Sequence, residues 1–364
     1  MLRRIKIGLL ASANRTGLSR LIGDTAWRQR RLLILCYHGI TDGDLHQWNP
    51  SLFMHAEEFK TRIKLLREAN CNVLGLGEAL ERLENGSLPP RSVVLTFDDG
   101  FADFYQTAWP ILREFGFPAT VYLTTYYMVH NLPVFDPALD YVLWKSAGRQ
   151  LDWPEIIAGP VSLDAAGRLR MSHVLHAYAS KKNLSATQKD GLLEDLANRL
   201  GVDYDGLRRS RVLNLINKDE ARKLSAEGVD LQLHTHRHRT SIHQSRFLGE
   251  IEDNRDSIAS LGLRPAEHFC YPSGVRRANY PQWLDEAGIK SAATCDSGFV
   301  EPGADRHSLR RVTDCAPFTE AEFLGWIYGT AALLPHRGRS QEAVATVEEE
   351  SDVEVLPYVP AVNR

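Results

Sequence analysis

Short β-rich runs alternate with helix-length amphipathic stretches along most of this chain. The apolar run 32–37 precedes a helical pattern over 56–69, and the run 92–97 precedes another over 102–115, with Pro110 as an expected kink. Parallel strands need connections of this length, so the alternation predicts a parallel sheet covered by helices. Further candidate strands begin near residues 72, 119, 229, 268 and 290, which makes at least seven before residue 309.

Three segments depart from this alternation. Residues 1–31 form a basic leader, and residues 126–216 replace the strand pattern with Pro- and Trp-bearing loops and charged helical patterns. Residues 335–364 are rich in Glu and are expected to be a disordered acidic tail. The sequence therefore predicts one α/β domain over 32–330 that carries a mainly helical insertion.

The composition excludes several classes of protein. With 43% hydrophobic and 24% charged residues over 364 positions, the chain is globular rather than disordered or collagenous. A formal charge of -3 lacks the basic excess of a nucleic-acid binder. Its five cysteines are odd in number and scattered, which disfavours a disulfide framework and a thiolate zinc site.

The N-terminal segment bears on where in the cell the protein is expected. Its apolar run over 7–11 is too short for a signal peptide, so we expect a cytoplasmic protein. Residues 1–31 hold eight Arg or Lys against one acid, Asp24. Such a segment is suited to peripheral contact with an anionic membrane at its inner face, and a solvated, partly helical leader is the alternative.

Two clusters of chemically capable residues follow candidate strands. Asp98 and Asp99 come directly after the run 92–97, and a plain turn is the alternative explanation for them. His234, His236 and His238 lie at the end of the candidate strand 229–234 and just beyond it. Because the carboxyl ends of parallel barrel strands form one face, carboxylates and imidazoles meet there, and together they predict a metal site.

A further histidine follows the first strand. His38 lies after Tyr37 at the carboxyl end of the run 32–37, on the same expected face. An imidazole can deliver a proton near neutral pH, so His38 is a candidate general acid or base.

The combination Thr96-Phe-Asp-Asp-Gly100 with His234-Thr-x-x-His238 resembles the first two motifs of the polysaccharide deacetylases, the family with NodB homology. The resemblance spans residues 32–312 and implies a distorted, seven-stranded, TIM-like (β/α) barrel. It also implies a metal centre that hydrolyses acetamides.

Carried over by position, the resemblance assigns Asp99, His234 and His238 as ligands of a divalent ion, most often Zn²⁺, with Co²⁺ or Ni²⁺ as alternatives. It assigns Asp98 as the general base. Three protein ligands leave one coordination position for water, in keeping with hydrolysis.

The sequence departs from the family pattern at the general acid. No Leu-x-His motif appears near the C-terminal end of the family region. In a subset with an N-terminal Tyr-His motif the acid follows the first strand, and Tyr37-His38 matches that motif. His307 is the competing candidate.

The third family motif is altered. The segment Phe269-Cys-Tyr-Pro-Ser-Gly274 keeps Pro272 and Gly274 but has Cys270 in place of Arg. We expect Tyr271 and Ser273 to contact the substrate or the oxyanion. For Ser273 the contact would be made by its backbone N–H. We also expect Arg311 to orient Asp98, and Trp48 to stack on a sugar ring.

The sequence thus favours a metal-dependent N-deacetylase acting on an N-acetylated glycan or a lipid-linked sugar precursor. A deformylase on a lipid-linked formamido sugar uses the same chemistry. A non-haem iron oxygenase also uses two His and one carboxylate, but leaves Asp98 and His38 unexplained. A catalytically idle glycan-binding protein is the last alternative, suggested by the altered third motif.

Overall fold

The computed structural model describes residues 2–335, which divide into two compact units. One unit comprises the chain up to Thr125 and from Asp219 onward, and the other is the segment Tyr126–Lys218. The second unit has almost the bounds that the sequence predicts for an insertion. The tail expected over 335–364 lies outside the described residues, apart from Pro335.

The strands are short and mostly buried. In chain order they are β1 (Leu33–Tyr37), β2 (Gly39–Thr41), β3 (Phe53–His55), β4 (Asn72–Val73), β5 (Ser92–Phe97), β6 (Thr120–Leu123), β7 (Gln150–Leu151), β8 (Val161–Ser162), β9 (Asp230–Leu233), β10 (His268–Cys270), β11 (Ser291–Ala293) and β12 (Val312–Thr313).

Sixteen α-helices accompany them within residues 2–335. They are α1 (Leu2–Arg15), α2 (Leu18–Gly23), α3 (Ala26–Gln29), α4 (Leu45–Trp48), α5 (Ala56–Glu68), α6 (Leu76–Glu84), α7 (Trp109–Phe115), α8 (Tyr126–His130), α9 (Phe135–Lys145), α10 (Ala165–Lys181), α11 (Ala186–Arg199), α12 (Tyr204–Arg209), α13 (Lys218–Ala226), α14 (Gln244–Ala259), α15 (Tyr280–Glu286) and α16 (Glu320–Tyr328).

The main sheet is parallel and curls into a partial barrel. Seven strands follow the order β11-β10-β9-β6-β5-β1-β12, and β4 pairs with the first residues of β5. β11 in turn bridges to the chain at Leu309, just before β12. This confirms the predicted (β/α) barrel and brings the carboxyl ends of the strands to one face.

Apolar residues of high β-propensity explain the central strands. All five residues of β1 and all six of β5 are buried, as expected for strands covered on both faces. Buried rings and aliphatic side chains line the inside and the helix-facing side of the sheet. One such cluster joins Phe247, Phe269, Tyr280 and Trp283.

The helix predicted over 102–115 is interrupted. Residues Phe104–Ala108 form a π-helical turn, and α7 begins at Trp109 with Pro110 in its first turn. Proline has no N–H to bond the carbonyl four residues earlier, so the preceding turn widens instead of continuing as a regular α-helix.

Residues 2–31 fold onto the barrel unit rather than standing apart as a leader. Leu10 of α1 is buried, and Arg3 bonds the carboxylate of Glu322 on α16. The Nε of buried Arg28 donates to the carbonyl of Ile327 at 2.7 Å. No unit boundary therefore falls at residue 31.

The unit Tyr126–Lys218 is mainly helical, as predicted for the insertion. It contains α8 to α12 and the antiparallel pair β7–β8. Ser185 and Gln188 form a capping box that satisfies the first N–H groups of α11. Leu139, Leu175 and Leu196 are buried in its core.

The described helices give no candidate for a bilayer crossing: within residues 2–335, none has both the length and the apolar character that a span requires. All five cysteines are free thiols, in agreement with the prediction from their number and spacing.

Candidate metal centre and active site

The predicted site residues lie at the carboxyl ends of neighbouring strands. His38 follows β1, the pair Asp98 and Asp99 follows β5, and His234 follows β9. β1 and β5 remain joined beyond their ends, because the N–H of Asp98 donates to the carbonyl of Tyr37 at 2.9 Å. The parallel sheet therefore gathers side chains that are far apart in sequence.

A tight turn separates the orientations of Asp98 and Asp99. Asp99 has a φ of 67° and Gly100 a φ of 79°, and the N–H of Gly100 donates to the carbonyl of Asp98 at 2.8 Å. A Cβ at Gly100 would lie 2.3 Å from Cδ1 of Leu123. Glycine is required here by both conformation and space.

Asp99, His234 and His238 converge. Oδ1 of Asp99 lies 3.3 Å from Nε2 of His234 and 3.3 Å from Nε2 of His238. The two imidazole rings are 4.9 Å apart between centroids. Left-handed conformations at Thr235 and His238 wind the loop so that these rings meet.

His234 is held by two further bonds. Its Nδ1 lies 2.8 Å from the carbonyl of Cys270, which can only accept, so Nδ1 carries the proton and Nε2 is left for a metal. Its backbone N–H donates to Oδ1 of Asn254 at 2.9 Å. The Nδ2 of Asn254 donates to the carbonyl of Leu123 and to Oγ1 of Thr125, both at 3.0 Å.

Asn254 is the residue that the sequence analysis missed. It is fully buried in α14 and ties together the ends of β6 and β9. The only signal in the sequence is a polar residue on the apolar face of that helix.

The pKa values of two of the three donors, Asp99 and His238, suit metal binding, whereas the pKa of His234 is shifted in the opposite direction. Burial raises the pKa of Asp99, but the charge of His238 and the bond from His234 outweigh it and hold that pKa at about 2. Burial lowers the pKa of His238 to about 4, only partly offset by Asp99. Burial also acts to lower the pKa of His234, but its bond to Asp99 and the neighbouring carboxylates raise it.

Asp98 is bound to Arg311 through both oxygens. Nη1 of Arg311 donates to Oδ1 at 2.7 Å and Nη2 donates to Oδ2 at 2.8 Å, with both side chains buried. Burial raises the pKa of Asp98, but the adjacent guanidinium outweighs it and keeps the pKa well below its usual range. Asp98 is therefore ionised, and the contact expected from Arg311 is present.

Two thiols complete the surroundings of Asp98. Sγ of Cys36 and Sγ of Cys270 lie 3.5 Å and 3.4 Å from its Oδ2. Nη2 of Arg311 also contacts Sγ of Cys270 at 3.0 Å. Burial raises the pKa of both thiols, so they are protonated and donate weakly to the carboxylate.

The structure separates the two histidines considered as the general acid. Nε2 of His38 lies 3.9 Å from Oδ2 of Asp98, and the side chain is partly exposed. His307 is buried, and its Nε2 donates to the carbonyl of Ile289, which precedes β11. His307 therefore lies at the amino end of a strand, opposite the face that carries the site.

The donor set fits a divalent transition metal best at Asp99, His234 and His238. Their ligand atoms lie within 4.8 Å of one another, and two imidazoles with one carboxylate are typical ligands of zinc. Asp98 with His234 and Cys270 is equally close, but Asp98 is already occupied by Arg311 and a protonated thiol is a poor ligand. His236 turns away, with its Nδ1 2.8 Å from Oγ1 of Thr125.

One of the expected substrate contacts, that of Tyr271, needs revision. Tyr271 is buried, and its hydroxyl donates to the carbonyl of His307 at 3.0 Å, so the expectation that its side chain contacts substrate is wrong. Its N–H bonds the carbonyl of Ala293. Ser273 is exposed beyond β10, in a left-handed conformation with φ 54°. Trp48 is half-buried at the end of α4, its ring 6.0 Å from that of Phe53, and its contact with sugar stays a prediction.

The fold and the clustered donors together define a (β/α) barrel with a candidate metal centre at its carboxyl face. A family model described as polysaccharide deacetylase matches residues 85–292. The chain belongs to the polysaccharide deacetylase family.

Relatives and solved structures agree with this assignment. A poly-beta-1,6-N-acetyl-D-glucosamine N-deacetylase of Staphylococcus epidermidis is 36% identical over 275 residues, covering 70% of this chain and 66% of the relative. A Staphylococcus aureus protein of the same name is 35% identical over 79 residues, covering 21% of this chain and 27% of its own. The chain thus spans less than two thirds of these relatives.

Solved structures show the same fold. A Streptococcus pyogenes deacetylase in complex with acetate has a TM-score of 0.53 at 17% identity, covering 81% of this chain and 96% of its own. The structure of IcaB from Ammonifex degensii has a TM-score of 0.52 at 15% identity, covering 82% of this chain and 97% of its own.

Proposed function

We propose that this protein is a metal-dependent hydrolase that removes N-acetyl groups from an amino sugar of a polysaccharide or of a lipid-linked glycan precursor. The observation that carries the proposal is a second, ionised carboxylate beside a three-donor metal cluster. Asp98 is paired with Arg311 and is not one of the three metal-binding donors, so its carboxylate is available as a base. Family membership and the named activity of the staphylococcal relatives support the acetamide substrate.

Asp99, His234 and His238 would hold the divalent ion, for which zinc is the first candidate because imidazole and carboxylate suit it. When bound, such an ion supplies Lewis acidity that makes a water molecule acidic and polarises the amide carbonyl. His234 would use Nε2 to hold the ion, because its Nδ1–H donates to the carbonyl of Cys270.

Asp98 accepts a proton from the attacking water. Its ionised state at neutral pH follows from the paired guanidinium of Arg311, which also fixes the plane of the carboxylate. The bidentate bond prevents the carboxylate from rotating into the ligand set of the ion, which keeps the base distinct from the ligands.

His38 donates a proton to the departing amine of the sugar. Its ring lies beside Asp98 and is partly exposed, so it can reach both the reacting groups and solvent. The N–H of Ser273 is the first candidate among the protein groups for stabilising the developing oxyanion.

Acetate release tests the proposal. The enzyme, reconstituted with zinc, is incubated with a panel of N-acetylhexosamine oligomers and lipid-linked N-acetyl sugars, with Asp98→Asn as control. We expect acetate from at least one substrate and a loss of about 10²- to 10⁴-fold in the variant. No acetate from any substrate overturns the proposal, and formate from formamido sugars instead would identify a deformylase.

A further inference from the structure

The first two helices carry an exposed apolar stripe. Leu2, Ile5 and Leu9 lie three and four residues apart on α1, and their side chains are 85%, 50% and 55% exposed. Leu18 and Leu21 on α2, which packs against α1, are 50% and 69% exposed. We call the surface of these five residues the N-terminal stripe. Most of the large exposed hydrophobic side chains of residues 2–335 belong to it.

The opposite side of α1 is fixed to the barrel unit. Leu10 is buried against α16, where a Cβ at Gly325 would lie 2.9 Å from its Cδ2. Arg3 bonds Glu322, and Nδ2 of Asn14 donates to the carbonyl of Ala321. α1 therefore presents the N-terminal stripe to solvent instead of burying it.

Positive charge flanks the stripe. Helical periodicity places Lys6 beside the stripe on α1 and places Arg4 and Arg15 about a quarter turn from it on the other side. Arg20 is exposed on α2. No acidic residue occurs before Asp24. Within residues 2–335, none of the ion pairs uses these four basic side chains.

We propose that the N-terminal stripe docks α1 and α2 flat on a bilayer that contains anionic phospholipids. Helices that bind at the boundary between lipid headgroups and acyl chains typically carry exposed leucines together with Arg and Lys and few acids. The docking is independent of the hydrolytic activity, because none of these side chains belongs to the site.

Vesicle sedimentation of the full chain tests the docking. Wild-type protein is mixed with vesicles of phosphatidylcholine alone, or of phosphatidylcholine and phosphatidylglycerol in equal parts. We expect strong partition to the anionic vesicles and weak partition to the neutral ones, with salt reducing the difference. Equal partition to both vesicles overturns the proposal.

Substitutions locate the surface. Ile5→Glu with Leu9→Glu removes two inserted side chains, and we expect a loss of about a hundredfold in partition to anionic vesicles. Leu169→Glu is the matched control, because Leu169 is 60% exposed on α10 of the unit Tyr126–Lys218 and is not part of the stripe, and partition should be unchanged.

Two results would contradict the proposal. The double variant binding vesicles as tightly as wild type, with thermal melting of both proteins unchanged, would exclude the stripe. A concentration-dependent dimer that the same double variant abolishes, without vesicle binding by wild type, would assign the surface to a second copy. Because sedimentation needs no turnover, a protein inactive towards every sugar would leave this test intact.

Discussion

Asp98 and Asp99 are neighbours in the chain, yet the structure gives them separate partners. The left-handed turn at Asp99 directs its carboxylate to His234 and His238, while Asp98 remains in line with β5 and meets Arg311. The motif predicts both acids. The sequence also predicts that Arg311 contacts Asp98, but the fold alone shows that the guanidinium binds both carboxylate oxygens across 213 positions of sequence.

Removing Arg311 should change the pH dependence of activity. Arg311→Met leaves burial to raise the pKa of Asp98, so the carboxylate becomes protonated at a higher pH. Activity is lost as pH falls, and the acid limb of the kcat profile should move up by about 2 units or more, with activity recovering at alkaline pH. Arg311→Lys should move it less. A merely destabilised protein would lose activity equally at every pH, and that result would contradict this role.

The two candidate acids should separate by mutation. His38→Gln is expected to lower kcat by about 10²- to 10⁴-fold with little effect on stability, because His38 is partly exposed beside Asp98. His307→Gln should instead lower the melting temperature and spare kcat, since its ring bonds the carbonyl of Ile289. The opposite pattern in kinetics and melting would reverse the assignment.

At the scale of elements, the apolar runs predict the strands of the main sheet to within a few residues. β2, β3 and α4 were not predicted, because three- and four-residue elements leave no readable period. α16 was also missed, and with it the surface against which residues 2–31 pack. Such packing depends on long-range contacts that a local pattern does not contain.

A double-mutant cycle tests the packing of α1 on α16. Gly325→Ala brings a Cβ to 2.9 Å from Cδ2 of Leu10, and Leu10→Ala removes that obstacle. Leu10→Ala alone should cost about 2–4 kcal/mol of unfolding free energy. We expect the double variant to be about 1 kcal/mol more stable than the sum of the single changes, measured by urea denaturation. Strict additivity would show that the two residues do not touch in solution.

At the scale of the molecule, all the candidate catalytic and metal-binding residues belong to the barrel unit. The family match runs from residue 85 to residue 292 and so includes the whole segment Tyr126–Lys218 as well as Asp98, Asp99 and the His cluster. His38 and Arg311 lie outside it and are supplied by β1 and the chain before β12. The parallel sheet is what unites them, and the sequence predicts it through its alternation alone.

The central claim is that Asp99, His234 and His238 hold the ion on which hydrolysis depends. Metal content per chain and acetate release, measured together for His238→Gln and His236→Gln, test it most directly. His236 is the matched control because it contacts Thr125 rather than Asp99. We expect wild type and His236→Gln to retain about one zinc per chain and their activity. His238→Gln should lose most of the metal and about a hundredfold or more of the activity. A His238→Gln protein that keeps both its metal and its acetate release would contradict the account.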